Sequence, residues 1–252
     1  MLRDVGKTFS NSVTALEHVD LTIREGDFVS LLGPSGCGKS TALRLIAGLS
    51  TPTVGMLDWR KTLDDASLGF VFQEPTLLPW ASVFDNVWLP LRLRGVSRSE
   101  AAPAVAEMLE RVHLSGFDQA VPRELSGGMK MRVSIARALV TNPRLLLMDE
   151  PFAALDEITR FKLNNDLLQL WQDKRFTVVF VTHSVFESVF LSKRIVVMAA
   201  RPGRVFEEVT VDAPYPRDEA FRTSPDYAAL CRRTSDVLAA AMRTGGGSHG
   251  GH

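Results

Sequence analysis

Cysteine is scarce in this sequence: Cys37 and Cys231 are the two cysteines among its 252 residues. Two cysteines are too few for the disulfide framework of a small secreted domain, which favours a reducing compartment. The sequence also lacks an apolar run approaching the ~20 residues that a bilayer-spanning helix needs. Its first ten residues lack the apolar core of a signal peptide. We therefore expect a soluble cytoplasmic protein.

A net charge is absent as well, because 29 Lys and Arg residues balance 29 Asp and Glu residues. This balance gives no global positive field that would attract nucleic acid or anionic lipid, although it leaves a local patch open. There is no internal repeat. Hydrophobic residues make up 45% of the chain and charged residues 23%, which is typical of one large globular domain or a domain with a lobe.

Short apolar runs alternate with helical patterns along most of the chain. The runs predicted as strands are Phe28–Leu32, Leu68–Phe72, Leu145–Met148, Thr177–Thr182 and Ile195–Ala199. Runs that are apolar throughout suit a parallel sheet that is buried on both faces. Two earlier segments, Ala15–Ile23 and Leu57–Trp59, alternate more and predict an antiparallel layer. The Pro-Gly pair in "RPGR", 201–204, predicts a turn before a further run at Val205–Val211.

A helical lobe is predicted over residues 83–140, where alanine, leucine and charged residues dominate. Val105, Met108, Leu109 and Val112 follow the i, i+3, i+4, i+7 spacing of an amphipathic helix. This lobe would be inserted into a core formed by 1–82 and 141–212. A C-terminal helical extension is predicted over 213–242, and the polar, Gly-rich segment 243–252 is predicted to be disordered.

The segment "GPSGCGKST" matches a phosphate-binding loop, with a predicted strand before it and a predicted helix, 39–47, after it. Glycines let the backbone approach phosphate oxygens, and the start of the helix favours an anion. The Lys39 ammonium group would reach the β- and γ-phosphates, and the Ser40 hydroxyl would bind Mg²⁺. The alternative is a chance Gly-rich turn. The candidate ATP-binding residues of the loop are Gly33, Pro34, Ser35, Gly36, Cys37, Gly38, Lys39, Ser40 and Thr41.

Two interpretations of Cys37 remain open: a reactive thiol near a helix start, or a small spacer within the loop.

The second chemical signal is the pair Asp149 and Glu150, which follows the apolar run 145–148. Asp149 can hold Mg²⁺ directly or through water, and Glu150 can polarise a water molecule for attack on the γ-phosphate. A carboxylate pair after a strand is otherwise a common solvated loop.

The segment "LSGGMKMRVSIARALVTNP", 125–143, resembles the signature segment of ABC-type ATPases, and the resemblance extends over nearly the whole chain. It implies that Phe9 stacks on adenine and that Gln73, the Q-loop glutamine, contacts ATP and Mg²⁺. It also implies that Asp156 belongs to the D-loop and that His183 is the switch histidine near the γ-phosphate. Without the resemblance, each residue has a simpler interpretation. Phe9 would be a core aromatic, Gln73 a polar residue at a strand end, and His183 a histidine with a structural role.

The signature itself combines Ser126, an expected helix N-cap, with Gly127 and Gly128. These glycines add no side chain that would cover the backbone N–H groups at the helix start. Met129 stands where the family usually has Gln. The resemblance implies that two copies of the chain pair head to tail. The signature of one copy would then cover the ATP held by the loop of the other.

The fold implied by the resemblance is α/β: a P-loop NTPase with a RecA-like core and a mostly parallel sheet. An N-terminal antiparallel β layer and an inserted α-helical subdomain complete it. Residues 1–242 would form a single ABC ATPase domain that uses ATP and Mg²⁺. The sequence departs from the family pattern at Ser184, where an acidic residue is common, and at its start, where the family usually has a few more residues.

Three further segments, "LLPW", "MDEPFAALDEITR" and "VVMAARPGRV", resemble the branch that serves nitrate, sulfonate, taurine and aminopyrimidine importers of bacteria. The resemblance implies an ATPase that energises an importer from the cytoplasmic face of the inner membrane. The implied partners are a second copy, membrane permease subunits and, indirectly, a solute-binding protein, with no nucleic acid. Leu78, Trp80 and Trp88 would either pack the helical lobe or line a groove that grips a cytoplasmic helix of the permease.

Two alternative classes of function compete with transport: a soluble ABC-type ATPase for DNA repair or translation, and a nucleotide-binding regulatory module. A soluble ABC-type ATPase for DNA repair is disfavoured, because about 90 residues without sustained heptads separate the loop from the signature. The translation type carries two cassettes, and this chain has one. A nucleotide-binding regulatory module without turnover is disfavoured by the presence of Glu150 and His183.

Overall fold

The structure, a computed structural model, describes residues 1–58 and 68–245. Its elements are, in chain order, β1 (Leu2–Thr8), β2 (Thr14–Leu21), β3 (Phe28–Leu32), α1 (Lys39–Ile46), β4 (Val54–Leu57), β5 (Leu68–Val71), α2 (Val83–Arg92), α3 (Arg98–Arg111), a 3-10 helix (Pro122–Glu124), α4 (Gly127–Leu139), β6 (Leu145–Asp149), α5 (Glu157–Lys174), β7 (Thr177–Thr182), α6 (Val185–Leu191), β8 (Arg194–Ala199), β9 (Arg204–Thr210), α7 (Glu219–Arg222) and α8 (Pro225–Gly245). These elements belong to two compact units, Met1–Thr62 with Thr177–His252 and Leu63–Phe176. No helix among the described residues is long and apolar enough to cross a membrane.

In the first unit, β1 lies between β2 and β4 in an antiparallel sheet. Leu2 pairs with Leu21 on one side and with Leu57 on the other. Leu2, Val5 and Leu21 are buried, which fixes one face of the sheet against the interior. The predicted antiparallel layer is confirmed, although β1 was not among the predicted strands. The predicted strand Leu57–Trp59 overlaps β4 only at Leu57, and Trp59 lies outside the described residues.

The same unit contains four further strands in the order β7-β3-β8-β9. β3 is parallel to β7 and to β8, whereas β9 is antiparallel to β8. Every residue of β3 and β7 is buried, as expected for apolar strands covered on both faces. The predictions for Phe28–Leu32 and Thr177–Thr182 are confirmed to the residue.

The C-terminal part of the first unit is held against α6. Tyr227, near the start of α8, donates its hydroxyl to the carbonyl of Phe186 at 2.9 Å. The buried guanidinium group of Arg217 donates to the carbonyls of Val189 and Ser192, each at 2.9 Å. Helix α8 ends at Gly245, inside the segment predicted as a disordered tail, and residues 246–252 lie outside the described residues.

The second unit combines the parallel strands β5 and β6 with helices α2 to α5. Three of these helices fall within the predicted helical segment 83–140, and Val105, Met108 and Leu109 are buried on α3 as their spacing predicted. Each helix begins with a side-chain cap, from Ser82, Ser97, Ser126 or Asp156. The chain therefore has the α/β fold predicted from the sequence, with mostly parallel strands, an N-terminal antiparallel sheet and helices.

Candidate nucleotide-binding site

The phosphate loop connects β3 to α1 in the first unit, and two of its glycines have left-handed backbones. Gly36 has φ 76° and Gly38, the N-cap of α1, has φ 87°. Glycine adopts this conformation without a steric penalty. A Cβ atom at Gly38 would also lie 2.5 Å from Leu16 Cδ2. The conformation and the packing of the loop therefore both require glycine at this position.

Lys39 places its ammonium group within the loop. The side chain is 4% exposed, and Nζ donates to the carbonyl oxygens of Gly33 at 2.7 Å and Pro34 at 3.0 Å. A buried cation at the start of a helix creates a strongly electropositive position. The chemistry of the loop therefore suits a phosphate group.

Cys37 is fully buried at the back of this loop. Burial raises the pKa of its thiol above the ordinary value, which lowers the fraction of reactive thiolate at neutral pH. A Cβ atom at Gly33 would lie 2.7 Å from Cys37 Sγ. The structure thus favours the small-spacer interpretation of Cys37.

The turn at 201–204 packs against the phosphate loop at Cys37. This contact was not predicted from the sequence. Gly203 donates its N–H to the carbonyl of Ala15 at 3.0 Å, and its carbonyl accepts from the N–H of Glu17 at 2.9 Å. A Cβ atom at Gly203 would lie 2.2 Å from the carbonyl oxygen of Cys37. The Pro-Gly pair was the available signal, but the sequence gives no indication of what the turn contacts.

His183 and Phe9 are the other predicted site residues of the first unit. Leu32 pairs with Thr182, so the phosphate loop and His183 follow neighbouring parallel strands at the same sheet edge. His183 is exposed, and Ser184 after it caps α6 by accepting from the N–H of Glu187 at 3.3 Å. Phe9 follows β1, and its ring is 43% exposed. An exposed ring is suited to stacking on a base.

Gln73 and Glu150 follow the two parallel strands of the second unit, and Asp149 is the last residue of β6. Val71 of β5 pairs with Met148 of β6, so these three residues leave the strand pair at the same edge. Glu150 has φ 47°, a conformation that is uncommon for a residue with a side chain. Such backbones are often found at functional sites.

The donors present fit Mg²⁺ that is bound together with a nucleotide. In the described ranges 1–58 and 68–245, no group of three or more His, Cys, Asp and Glu residues forms a protein-only metal cage. Mg²⁺ at nucleotide sites typically takes one or two carboxylates, with phosphate oxygens and water completing the octahedron. Of the residues predicted to bind Mg²⁺, Asp149 offers a carboxylate of this kind, and Ser40 and Gln73 each offer an uncharged oxygen donor.

The signature turn lies at the start of α4 in the second unit. The hydroxyl oxygen of Ser126 accepts from the N–H of Met129 at 3.3 Å. Ser126 and Gly127 are exposed, whereas Gly128 is buried. Asp156 caps α5 by accepting from the N–H of Thr159 at 2.9 Å, and this bond holds the pKa of the Asp156 carboxyl below its ordinary value. The turn therefore exposes Ser126 and Gly127 but not the second glycine.

The family model described as "ABC transporter" matches residues 16–153 of this chain, a segment that contains the phosphate loop, the signature turn and the Asp149–Glu150 pair. The chain belongs to the ABC transporter family. As an ABC ATP-binding cassette it is an ATPase, and it uses ATP with Mg²⁺.

Individual proteins agree with this assignment. The ABC transporter ATP-binding protein MJ0412 of Methanocaldococcus jannaschii is 47% identical over 231 residues, covering 90% of this cassette and 85% of the relative. The aliphatic sulfonates import ATP-binding protein SsuB of Bacillus cereus is 43% identical over 224 residues, covering 86% and 88%. The dimeric structure of MJ0796, a bacterial ABC transporter cassette, has a TM-score of 0.74 and 38% identity over 84% of this cassette and 99% of that chain. MJ0796 has also been solved in a post-hydrolysis state bound to ADP and Pi.

Proposed function

We propose that this cassette energises a bacterial importer for a small solute such as nitrate, a sulfonate, taurine or an aminopyrimidine. The observation that carries the proposal is the 43% identity, over 86% of the chain, to an ATP-binding protein named for aliphatic sulfonate import. The segments "LLPW" and "VVMAARPGRV" support the same branch. A soluble ABC-type ATPase that is not coupled to transport is not favoured by these similarities.

Binding of ATP starts at the phosphate loop in this proposal. Lys39, which bonds to the carbonyls of Gly33 and Pro34, contacts the β- and γ-phosphates through charge-assisted hydrogen bonds. Phe9 stacks its exposed ring on adenine. The other loop residues, Ser35, Gly36, Cys37, Gly38 and Thr41, shape the backbone around the phosphates.

Hydrolysis depends on Ser40 of α1 and on the polar residues at or just after the ends of β5, β6 and β7. Ser40, Gln73 and Asp149 would hold Mg²⁺, which when bound neutralises charge that develops on the phosphates. Glu150 orients and polarises the attacking water, and accepts its proton. His183 donates a hydrogen bond to the γ-phosphate. Bond cleavage releases phosphate and ADP.

A second copy of the chain completes each ATP site in this proposal. Two cassettes pair head to tail, so that Ser126, Gly127, Gly128 and Met129 of one copy and its Asp156 face the nucleotide held by the other. The exposed start of α4, with its N–H groups and positive dipole end, suits a phosphate group. The relative MJ0796 has been solved as a dimer, which supports this arrangement. Closure on ATP and release after hydrolysis would drive the permease.

The permease contact is proposed at residues 73–90 and the apolar groove beside them. Trp80 is 77% exposed and Leu93 is 79% exposed, whereas Trp88 donates its indole N–H to the carbonyl of Val96 at 3.1 Å. Trp88 therefore packs the helical part of the unit, and Trp80 is the candidate anchor for a partner, with the half-buried Leu78 near it in the sequence. A groove of about 370 Å³ is lined by residues that include Phe72, Leu89 and Leu93. These apolar residues suit the anchor side chains of one partner helix, and Arg94 and Arg137 also line the groove.

In this proposal the cassette lies on the cytoplasmic face of the bacterial inner membrane, held there by permease subunits. A solute-binding protein outside the membrane delivers the solute and determines its identity. Nucleic acid is not among the proposed partners, since the balanced charge of the chain gives no global attraction for it.

Co-expression with the permease encoded beside its gene tests the proposal. We expect the full chain to co-purify with the membrane subunit and to support ATP-dependent uptake of one of the four solute classes. Trp80→Ala should weaken co-purification while phosphate release by the isolated cassette stays unchanged. A chain that hydrolyses ATP but is never retained by a membrane subunit would instead be the non-transport ATPase.

A further inference from the structure

The two glycines of the signature turn have different surroundings. A Cβ atom at the exposed Gly127 would lie 3.5 Å from Leu155 Cδ2, an ordinary contact distance. At the buried Gly128, a Cβ atom would lie 2.5 Å from Cγ2 of Thr159. Atoms cannot approach so closely in a packed interior. The missing side chain of Gly128 is therefore what makes room for the methyl group of Thr159.

Thr159 cannot easily move away from this contact. It lies in the first turn of α5, where its N–H donates to Asp156 Oδ1 at 2.9 Å. Its β-branched side chain has few rotamers available in a helix. The guanidinium group of Arg160 donates to the carbonyl of Leu155 at 2.8 Å, which ties the preceding segment to the same turn. The backbone that carries the methyl group is thus held in place beside Gly128.

The contact joins the starts of two helices that both carry site residues. Ser126 caps α4 and Asp156 caps α5, and Gly128 and Thr159 are each within three residues of their cap. A close-packed contact transmits a displacement of one side to the other. A displacement of the start of α5 would therefore press on the start of α4 at Gly128.

We propose that Thr159 is a positioning residue of the signature turn, whose methyl group packs on Gly128 and fixes Ser126 and Gly127 relative to Asp156. The inference rests on the proposed function, in which Ser126, Gly127, Gly128 and Met129 face the ATP held by a second copy. It assigns Gly128 a packing role in addition to its place facing the nucleotide, because a Cβ atom at Gly128 has no room beside Thr159. A chain that gains a methyl group by Gly128→Ala and loses one by Thr159→Ser should therefore pack normally at this contact.

The test measures ATP-dependent dimerisation of the full chain by sedimentation, in a Glu150→Gln background that does not turn ATP over. Gly128→Ala should weaken the dimer about tenfold, because overpacking displaces the turn. Adding Thr159→Ser removes the clashing methyl group and should restore dimer affinity to within about threefold of the background, since overpacking is relieved. ATP binding to each variant at monomer concentrations should stay near the background value, and the thermal unfolding of each variant should show one cooperative transition above the temperature of the measurement.

Gly127→Ala provides the matched contrast. Its loss of dimer affinity should not be restored by Thr159→Ser, because Gly127 does not contact that methyl group. The inference is overturned if Gly128→Ala has no effect on dimerisation, or if its effect persists in the double variant. Failure of the Glu150→Gln background itself to dimerise with ATP would instead overturn the proposed head-to-tail function, on which the inference depends.

A second pair of variants leaves Gly128 unchanged. Thr159→Val keeps a methyl group over Gly128 and should dimerise within about twofold of the background. Thr159→Ser should dimerise more weakly, by up to about fourfold, which is the factor reached if the whole free energy of one buried methyl group is used to position the turn. An equal loss in both variants would assign the effect to the hydroxyl group and overturn the role of the methyl group.

Discussion

At the scale of single residues, Lys39 offers the most direct test of the phosphate loop. Its Nζ is bonded to the carbonyls of Gly33 and Pro34 and is almost fully buried. We expect Lys39→Ala to weaken ATP binding by about 10- to 100-fold, because a hydrogen bond to a charged group contributes about 1.5–3 kcal/mol. Titration with a fluorescent ATP analogue measures the change. Lys162→Ala, at an exposed position on α5, is the control and should bind as the native chain does.

Gly203 tests whether the turn at 201–204 positions the loop. The φ of Gly203 is not positive, so its backbone accepts alanine. The disallowed contacts are those of a new Cβ atom with two carbonyl oxygens, that of Cys37 at 2.2 Å and that of Ala15 at 2.7 Å. Because the loop must shift, we expect Gly203→Ala to weaken ATP binding about tenfold. Gly6→Ala is the matched control, since a Cβ atom there meets its nearest neighbours at 3.6 Å. Unchanged affinity in Gly203→Ala would show that the turn does not support the loop.

The same residues show where prediction from the sequence stops. Lys39 and Ser40 were predictable, because the chemistry of phosphate binding fixes the residue types and their spacing within one short segment. The contacts of Gly203 with Cys37 and of Gly128 with Thr159 join residues far apart in the chain. Nothing within either local segment indicates the neighbour, so a glycine there could not be assigned to packing from the sequence alone.

At the scale of helices and strands, burial on both faces decides what can be predicted. β3 and β7 are continuous apolar runs, and their bounds were predicted to the residue. β1 was missed because its buried residues, Leu2 and Val5, are three apart and its pairing with β2 has register shifts. Such a strand shows neither a continuous apolar run nor regular alternation.

The end of α6 depends on one buried side chain, Arg217. Its guanidinium group donates to four carbonyls within 3.0 Å: those of Val189, Phe190, Ser192 and Ala213. Burial lowers the pKa of Arg217, yet a guanidinium group stays charged in proteins. Arg217→Met keeps the apolar stem but removes every donor. Because the carbonyls are then buried without partners, we expect the free energy of unfolding to fall by about 3 kcal/mol.

Urea unfolding followed by circular dichroism measures this loss. Arg204→Met, at an exposed position on β9, is the control and should change the free energy of unfolding by less than about 0.5 kcal/mol. An Arg217→Met variant as stable as this control would mean that water or a shifted backbone satisfies the carbonyls.

At the scale of the whole molecule, the proposed function makes ATP the link between two copies of the chain. The phosphate loop and the signature turn lie in different compact units and far apart in the sequence. Both favour anions, the first through a buried ammonium group and the second through an exposed helix start. A chain with two phosphate-binding features of this kind suits a dimer with two nucleotides related by a two-fold axis.

Glu150→Gln separates binding of ATP from its hydrolysis in that dimer. Glutamine matches glutamate in size but cannot accept the proton of the attacking water, so we expect turnover to fall at least about 100-fold, the usual contribution of a general base. ATP affinity should change little, and the closed dimer should accumulate, because release requires hydrolysis. Phosphate release and light scattering after gel filtration measure the two quantities. Glu110→Gln, exposed on α3, should hydrolyse ATP at the native rate. If Glu150→Gln also hydrolysed ATP at the native rate, Glu150 would not be the water-activating residue, and the variant would not accumulate the closed dimer.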